Sequence, residues 1–142
     1  MPTRKAQATW EGGLRNGKGS FRGESGAINT TYSFGSRFEQ AGGSNPEELL
    51  AAAEAACFSM ALSAGLEKHG TPASRVDTDA ACTIDKVGDG FKITTMRLTV
   101  QAKVPNLDQA TFERIATETK AGCPVSQAIA GNVEISLDAT LV

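Results

Sequence analysis

Residues 44–70 constrain this chain more than any other stretch. They read SNPEELLAAAEAACFSMALSAGLEKHG. Asn45 suits a helix N-cap, Pro46 the first helical position, and Glu48 the acid of a capping box. His69-Gly70 ends the pattern, with Pro72 just beyond, so the stretch predicts one helix running to about Lys68. The apolar run from Leu49 to Leu66 is long enough to invite a membrane-spanning reading. It is mostly alanine, however, it carries Glu54, Ser59 and Ser63, and it leads straight into charged residues. A buried core helix is the better reading. Its middle is apolar nearly all round, so it is buried on several sides. A chain of 142 residues rarely surrounds a helix so completely, and dimerisation around the helix is a natural way to do it.

The flanking segments read as strands and shorter helices. Residues 5–38 alternate loosely and are broken by Gly12-Gly13, Asn16-Gly17 and Ser25-Gly26, which predicts short strands with a hairpin signal at Asn16-Gly17. Residues 39–44 read as a loop. Residues 75–86 and 91–103 alternate well, with a slip before Leu98, and Gly88-Asp89-Gly90 joins them as a hairpin. Asp108 to Lys120 is amphipathic through Phe112, Ile115 and Ala116. Pro124 to Ala130 predicts a short helix, and Val133 to Leu141 a final strand. No repeat, linker or low-complexity tract interrupts the order. The expected class is α+β, a single domain with antiparallel sheet.

Several function classes can be set aside on composition. The net charge is -2 and no Lys/Arg cluster is visible, so nucleic acid is not an expected partner. There is no G-x-G-x-x-G and no P-loop. The start, MPTRKAQATWEGG, lacks the apolar run of a secretory signal. We expect a cytoplasmic protein with no membrane partner. Three cysteines, one histidine and no C-x-x-C argue against a disulfide scaffold and against structural zinc. In a reducing compartment, cysteines that matter are catalytic or redox-active.

The candidate residues follow from that chemistry. Cys57 lies deep in the apolar helix. It is either a small buried hydrophobe, inert because burial raises a thiol, or a nucleophile if a cation or donor is brought to it. Cys123 lies in KAGCPVSQAI, between the glycine that ends one helix and the proline that starts the next. That junction is N-cap-like and favours a thiolate, although a Cys lining a helix junction would look the same. Cys82 sits on the apolar face of a strand and reads as core. Arg37, in FGSRFEQ, is either one of many surface arginines or a fixed cation that stabilises a thiolate and polarises a peroxide oxygen. Of the two first-turn acids, Glu48 has capping to do, which leaves Glu47 to orient an arginine. Glu47 and Cys57 are ten positions apart, about 15 Å along one helix. If both serve one site, the glutamate comes from a second chain or the helix breaks. His69 reads as a partner of the helix C-terminus.

The segments ATWEGGLRNGKGS, FGSRFE, SNPEELLAAAEAACFSMALS, DKVGDGFKIT and KAGCPVSQAI span nearly the whole chain in order. Together they resemble the OsmC/Ohr hydroperoxide reductases. The pair NPEELxxAAxAACFSMAL and AGCPVSQ is highly specific. Ser44 stands where Thr is usual, and Cys82 is extra to the pattern. The resemblance implies an OsmC-like α+β fold, with antiparallel sheets packed around the long central helix. It also implies an intertwined homodimer with two sites at the interface. It makes Cys57 the peroxidatic cysteine, Cys123 the resolving cysteine, and Arg37 with Glu47 the supporting pair. It implies organic hydroperoxides as substrate, a dithiol reductant such as a lipoyl-bearing protein, and no cofactor or metal.

On that reading Cys57 attacks the peroxide and becomes a sulfenic acid. Cys123 condenses with it to a disulfide, and an outside dithiol restores the thiols. An apolar wall for the substrate is expected near Phe58 and Met60. Two other readings share these residues: a redox sensor or binder of small apolar ligands, and a structural dimer with two inert thiols.

Overall fold

A computed structural model describes residues 1–142 and divides them into two compact units, Met1–Leu49 and Leu50–Val142. The first unit begins with strands β1 (Ala6–Glu11), β2 (Lys18–Gly23) and β3 (Asn29–Tyr32), an antiparallel meander in the order β1-β2-β3. Asn16-Gly17 falls in the β1–β2 connection, where the Gly17 N–H donates to Gly13 O at 2.8 Å. Gly19 sits mid-strand opposite both Trp10 and Tyr32. The two rings close over it at 5.3 Å between centroids. A Cβ there would lie 2.5 Å from the Tyr32 ring and 2.8 Å from Trp10, so only glycine lets them meet.

Residues 34–38, expected as strand, form a short helix instead, α1 (Phe34–Phe38). Ser33 and Ser36 make a reciprocal capping box at its start, the signal that outweighs the aromatic content. Asn45 then caps α2 (Pro46–Lys68), its Oδ1 accepting the Glu48 N–H at 2.7 Å. The Glu48 carboxylate accepts from the Ser44 hydroxyl rather than from the cap backbone.

In the second unit α2 continues without a break to Lys68, and Gly70 follows in the left-handed region at φ 89°. Strands β4 (Arg75–Val87) and β5 (Gly90–Lys103) form an antiparallel hairpin. Its register shifts between Thr83 and Ile84, the bulge behind the slip in the sequence. Helices α3 (Gln109–Gly122) and α4 (Pro124–Ile129) lead to β6 (Glu134–Leu141). The strand β6 pairs with β5 in parallel, not antiparallel. The helical crossover returns the chain to the same end of the sheet, and that fixes the direction.

One core fills this unit. Phe58, Leu62 and Leu66 from α2 meet Met96, Leu98 and Val100 from β5, with Phe112, Ile115 and Ala116 from α3. Cys82 packs half-buried against this cluster, as expected of a core residue. Each fully buried side chain of this size contributes about 1.5–3 kcal/mol. The opposite face of α2 carries Ala52, Ala53, Ala56, Met60 and Ala64, all exposed. Only 22% of its most apolar window is buried within the chain. By length and composition α2 is long and apolar enough to cross a membrane, but its buried stripe is the packed core of this unit.

Candidate functional site

Two clusters hold the residues singled out above. The first lies in the Met1–Leu49 unit. Arg37, in the last turn of α1, points Nε and Nη2 at one carboxylate oxygen of Glu47, at 3.1 and 2.9 Å. Glu47 stands at the start of α2 with 6% of its surface exposed. Glu47, not Glu48, is the arginine's partner. Asn45 ties the two elements together, donating from Nδ2 to Ser36 O at 2.8 Å while it caps α2. The guanidinium keeps its charge when desolvated, and a two-pronged contact fixes its direction.

Beside Arg37 is a pocket of about 250 Å³ lined by Trp10, Leu14, Tyr32, Ser33, Phe34 and Phe38. The Arg37 guanidinium also stands 5.4 Å from the Phe38 ring centre. Sequence reading missed this apolar wall. Of the two residues expected near such a wall, Phe58 is fully buried in the core, and Met60 is 79% exposed on the face of α2 that the chain leaves uncovered. The signal available was the clustering of four aromatics around FGSRF and TWEGG, which alternation alone assigned to strands.

The second cluster lies in the Leu50–Val142 unit. Cys57 is half-buried on α2, and Cys123 is fully buried at the junction of α3 and α4. The two thiols are neighbours, and Cys123 and the Val125 N–H both act on Cys57. No disulfide joins them. Cys123 is both the C-cap of α3 and the N-cap of α4, and its side chain makes no capping bond, which leaves the sulfur available to its neighbour. Burial pushes the Cys57 thiol above the ordinary cysteine value. The nearby Cys123 and the negative Glu54 push the same way, and the Val125 N–H pulls it down. Glu54 was read only as a polar residue out of place in an apolar run. It is fully buried and accepts a hydrogen bond from the Ser126 hydroxyl on α4.

His69 lies past the end of α2, with Nδ1 3.2 Å from the Thr71 hydroxyl and no place in either cluster. No group of three or more His, Cys, Asp or Glu could hold a metal ion. Within the second unit the arrangement provides two reduced thiols in contact, one partly accessible and one sealed.

Sequence and structure comparisons agree with each other. The family model described as OsmC-like protein matches residues 39–138. The chain is 48% identical over 136 residues to the peroxiredoxin OsmC of Escherichia coli, covering 95% of this chain and 94% of that protein. It is 33% identical over 97 residues to an organic hydroperoxide resistance protein of Xanthomonas axonopodis, covering 67% and 66%. Among solved structures, an organic hydroperoxide resistance protein from Elizabethkingia anophelis superposes with a TM-score of 0.82 at 24% identity, over 100% of this chain and 98% of that one. OhrB of Bacillus subtilis superposes with a TM-score of 0.72 at 26% identity, over 96% and 98%.

Proposed function

This chain belongs to the OsmC-like family and is a peroxidase with a role in stress defence, and from that premise we propose that it reduces organic hydroperoxides with Cys57 as nucleophile and Cys123 as resolving thiol. The observation that carries the reading is the contact between two reduced thiols, one half-exposed and the other sealed.

The Cys57 thiolate attacks the outer peroxide oxygen. The O–O bond breaks, the alcohol leaves with a proton, and Cys57 becomes a sulfenic acid. Cys123 displaces hydroxide from that sulfur, which gives a disulfide and water. An outside dithiol then reduces the disulfide by exchange, and a lipoyl-bearing protein is the class of reductant the family favours. These steps need no cofactor.

Arg37 supplies the positive charge that Cys57 lacks within its own unit, and Glu47 aims it. Along one straight helix Glu47 and Cys57 are about 15 Å apart, and α2 runs unbroken between them. The Arg37–Glu47 pair therefore serves the Cys57 of a second copy, in a homodimer with two shared sites. The apolar pocket beside Arg37 favours an organic peroxide over hydrogen peroxide. A cytoplasmic setting would keep both thiols reduced between turnovers.

The test is consumption of cumene hydroperoxide and of hydrogen peroxide by the reduced protein with a small dithiol. The expected result is rapid loss of the organic peroxide and slower loss of hydrogen peroxide. Cys57→Ser should abolish turnover. Cys123→Ser should consume one equivalent and then stall. If fully reduced protein consumes neither peroxide, the chain is a sensor or a binding protein instead.

A further inference from the structure

Glu54 is the buried ionisable group that this cycle leaves unused. It stands on α2 one turn before Cys57 and has no solvent exposure. Its Oε1 accepts from the Ser126 hydroxyl, and its Oε2 is the buried side-chain oxygen with no hydrogen-bond partner. No cation neutralises it: the ion pairs are Arg37–Glu47, Arg75–Asp77 and Arg114–Glu118. A glutamate in the core stripe with Phe58 and Leu62 is expensive, because an apolar residue there would pack without stranding a polar atom.

The surroundings say what such a group can do. Ser126 lies one turn beyond Cys123 on α4, as Glu54 lies one turn before Cys57 on α2. The Glu54–Ser126 bond therefore joins the two segments that hold the paired thiols, and the carboxylate is near enough to act on Cys57 electrostatically. Cys123 is fully buried. When it attacks the Cys57 sulfenic acid its proton is released inside the core, and the hydroxide leaving Cys57 needs one.

We propose that Glu54 is the proton carrier of the resolving step, taking the thiol proton of Cys123 on Oε2 and passing it to the hydroxide that leaves Cys57. The step balances: the Cys57 S–O bond breaks, the S–S bond forms, and Cys123 sulfur is oxidised as Cys57 sulfur is reduced. The proton that began on Cys123 ends on water, and Glu54 returns to its starting state. The inference rests on the Cys57–Cys123 cycle proposed above.

The experiment is a single turnover. Reduced protein is mixed with one equivalent of cumene hydroperoxide, and three signals are followed: peroxide loss, dimedone trapping of the sulfenic acid, and disulfide by mass. Glu54→Gln keeps the shape and can still accept from Ser126, but cannot carry a proton. It should consume peroxide at least as fast as the parent, because the charge that disfavours the Cys57 thiolate is gone, then form the disulfide about a hundredfold more slowly, with the dimedone adduct accumulating on Cys57. Glu54→Asp, a poorer spacer that still carries a proton, should resolve faster than Glu54→Gln. Disulfide formation at the parent rate in Glu54→Gln, or equal slowing in both variants, would reduce Glu54 to a packing role and overturn the inference. Should Glu54→Gln fail to fold, Glu54→Met, an apolar residue of similar length that suits the core stripe, decides: slowed disulfide formation supports the carrier, and an unchanged rate refutes it. A parent that consumes no peroxide would sink the underlying cycle, and is distinguishable from all of these.

Discussion

A thiolate inside a protein needs a reason, and at Cys57 the local environment argues against one. Burial first, then Cys123 and Glu54, hold the thiol above its ordinary value, and the Val125 N–H offsets only part of this. The folded state thus holds that proton more tightly than the unfolded chain does. The resulting stabilisation is present below the ordinary cysteine range and is lost as pH rises through the folded value. A working nucleophile therefore has to import a cation. Arg37→Met should raise the pH midpoint of Cys57 alkylation by iodoacetamide by about 1 to 3 on the pH scale and lower kcat/KM for peroxide. An unchanged midpoint would mean that Arg37 does not act on the thiol. The sequence offered the four residues of the proposed site because each stands in a distinctive local string. Glu54 was not legible: its partner Ser126 is 72 positions away, and only folding reveals that a carboxylate in an alanine-rich run is sealed near Cys57.

At the scale of elements, local grammar predicted existence better than partnership. The Asn45-Pro46 start and Gly70 stop fixed α2 because caps are local chemistry. Alternation identified Val133 to Leu141 as a strand but carries no information on direction, and the parallel pairing with β5 depends on the crossover through α3 and α4. The short α1 was read as strand because its two phenylalanines suit either state, and the Ser33–Ser36 capping box decides it. Two substitutions test what these elements do. Leu62→Ala removes a fully buried side chain from the core stripe of α2 and should destabilise by about 2–5 kcal/mol in urea unfolding, with the chemistry of any remaining folded protein intact. Gly19→Val should act differently. A side chain there must displace Trp10 or Tyr32, both of which line the pocket beside Arg37. The expected result is a raised KM for cumene hydroperoxide with little change for hydrogen peroxide. Equal losses on both substrates would show that the pocket does not select the peroxide.

For the molecule as a whole, the deciding feature is the face of α2 that its own chain leaves uncovered. A helix apolar on all sides is stable only when something covers each side, and here the core covers the stripe of Phe58, Leu62 and Leu66 while Ala52, Ala56 and Met60 remain exposed. A second copy placing its own apolar face there would bury both at once, as a two-fold interface requires. The same arrangement would deliver Arg37 and Glu47 of one chain to the Cys57 of the other. This makes a prediction that mixing an impaired protein with an inactive one can decide. Arg37→Met keeps Cys57, and Cys57→Ser keeps Arg37. In a mixed dimer with shared sites, one site receives the intact Arg37 of one chain and the intact Cys57 of the other, and its twin receives both lesions. Unfolding the two variants together and refolding them should restore about one quarter of parental activity for random pairing of two equal populations. Refolding each alone should give no more than the low activity of that variant. If each site were built within one chain, every site in the mixture would carry a lesion and activity would stay at the level of the separate variants. A null result from a mixture shown by mass to contain mixed dimers would therefore refute the shared site, while leaving the two thiols and their contact as they are.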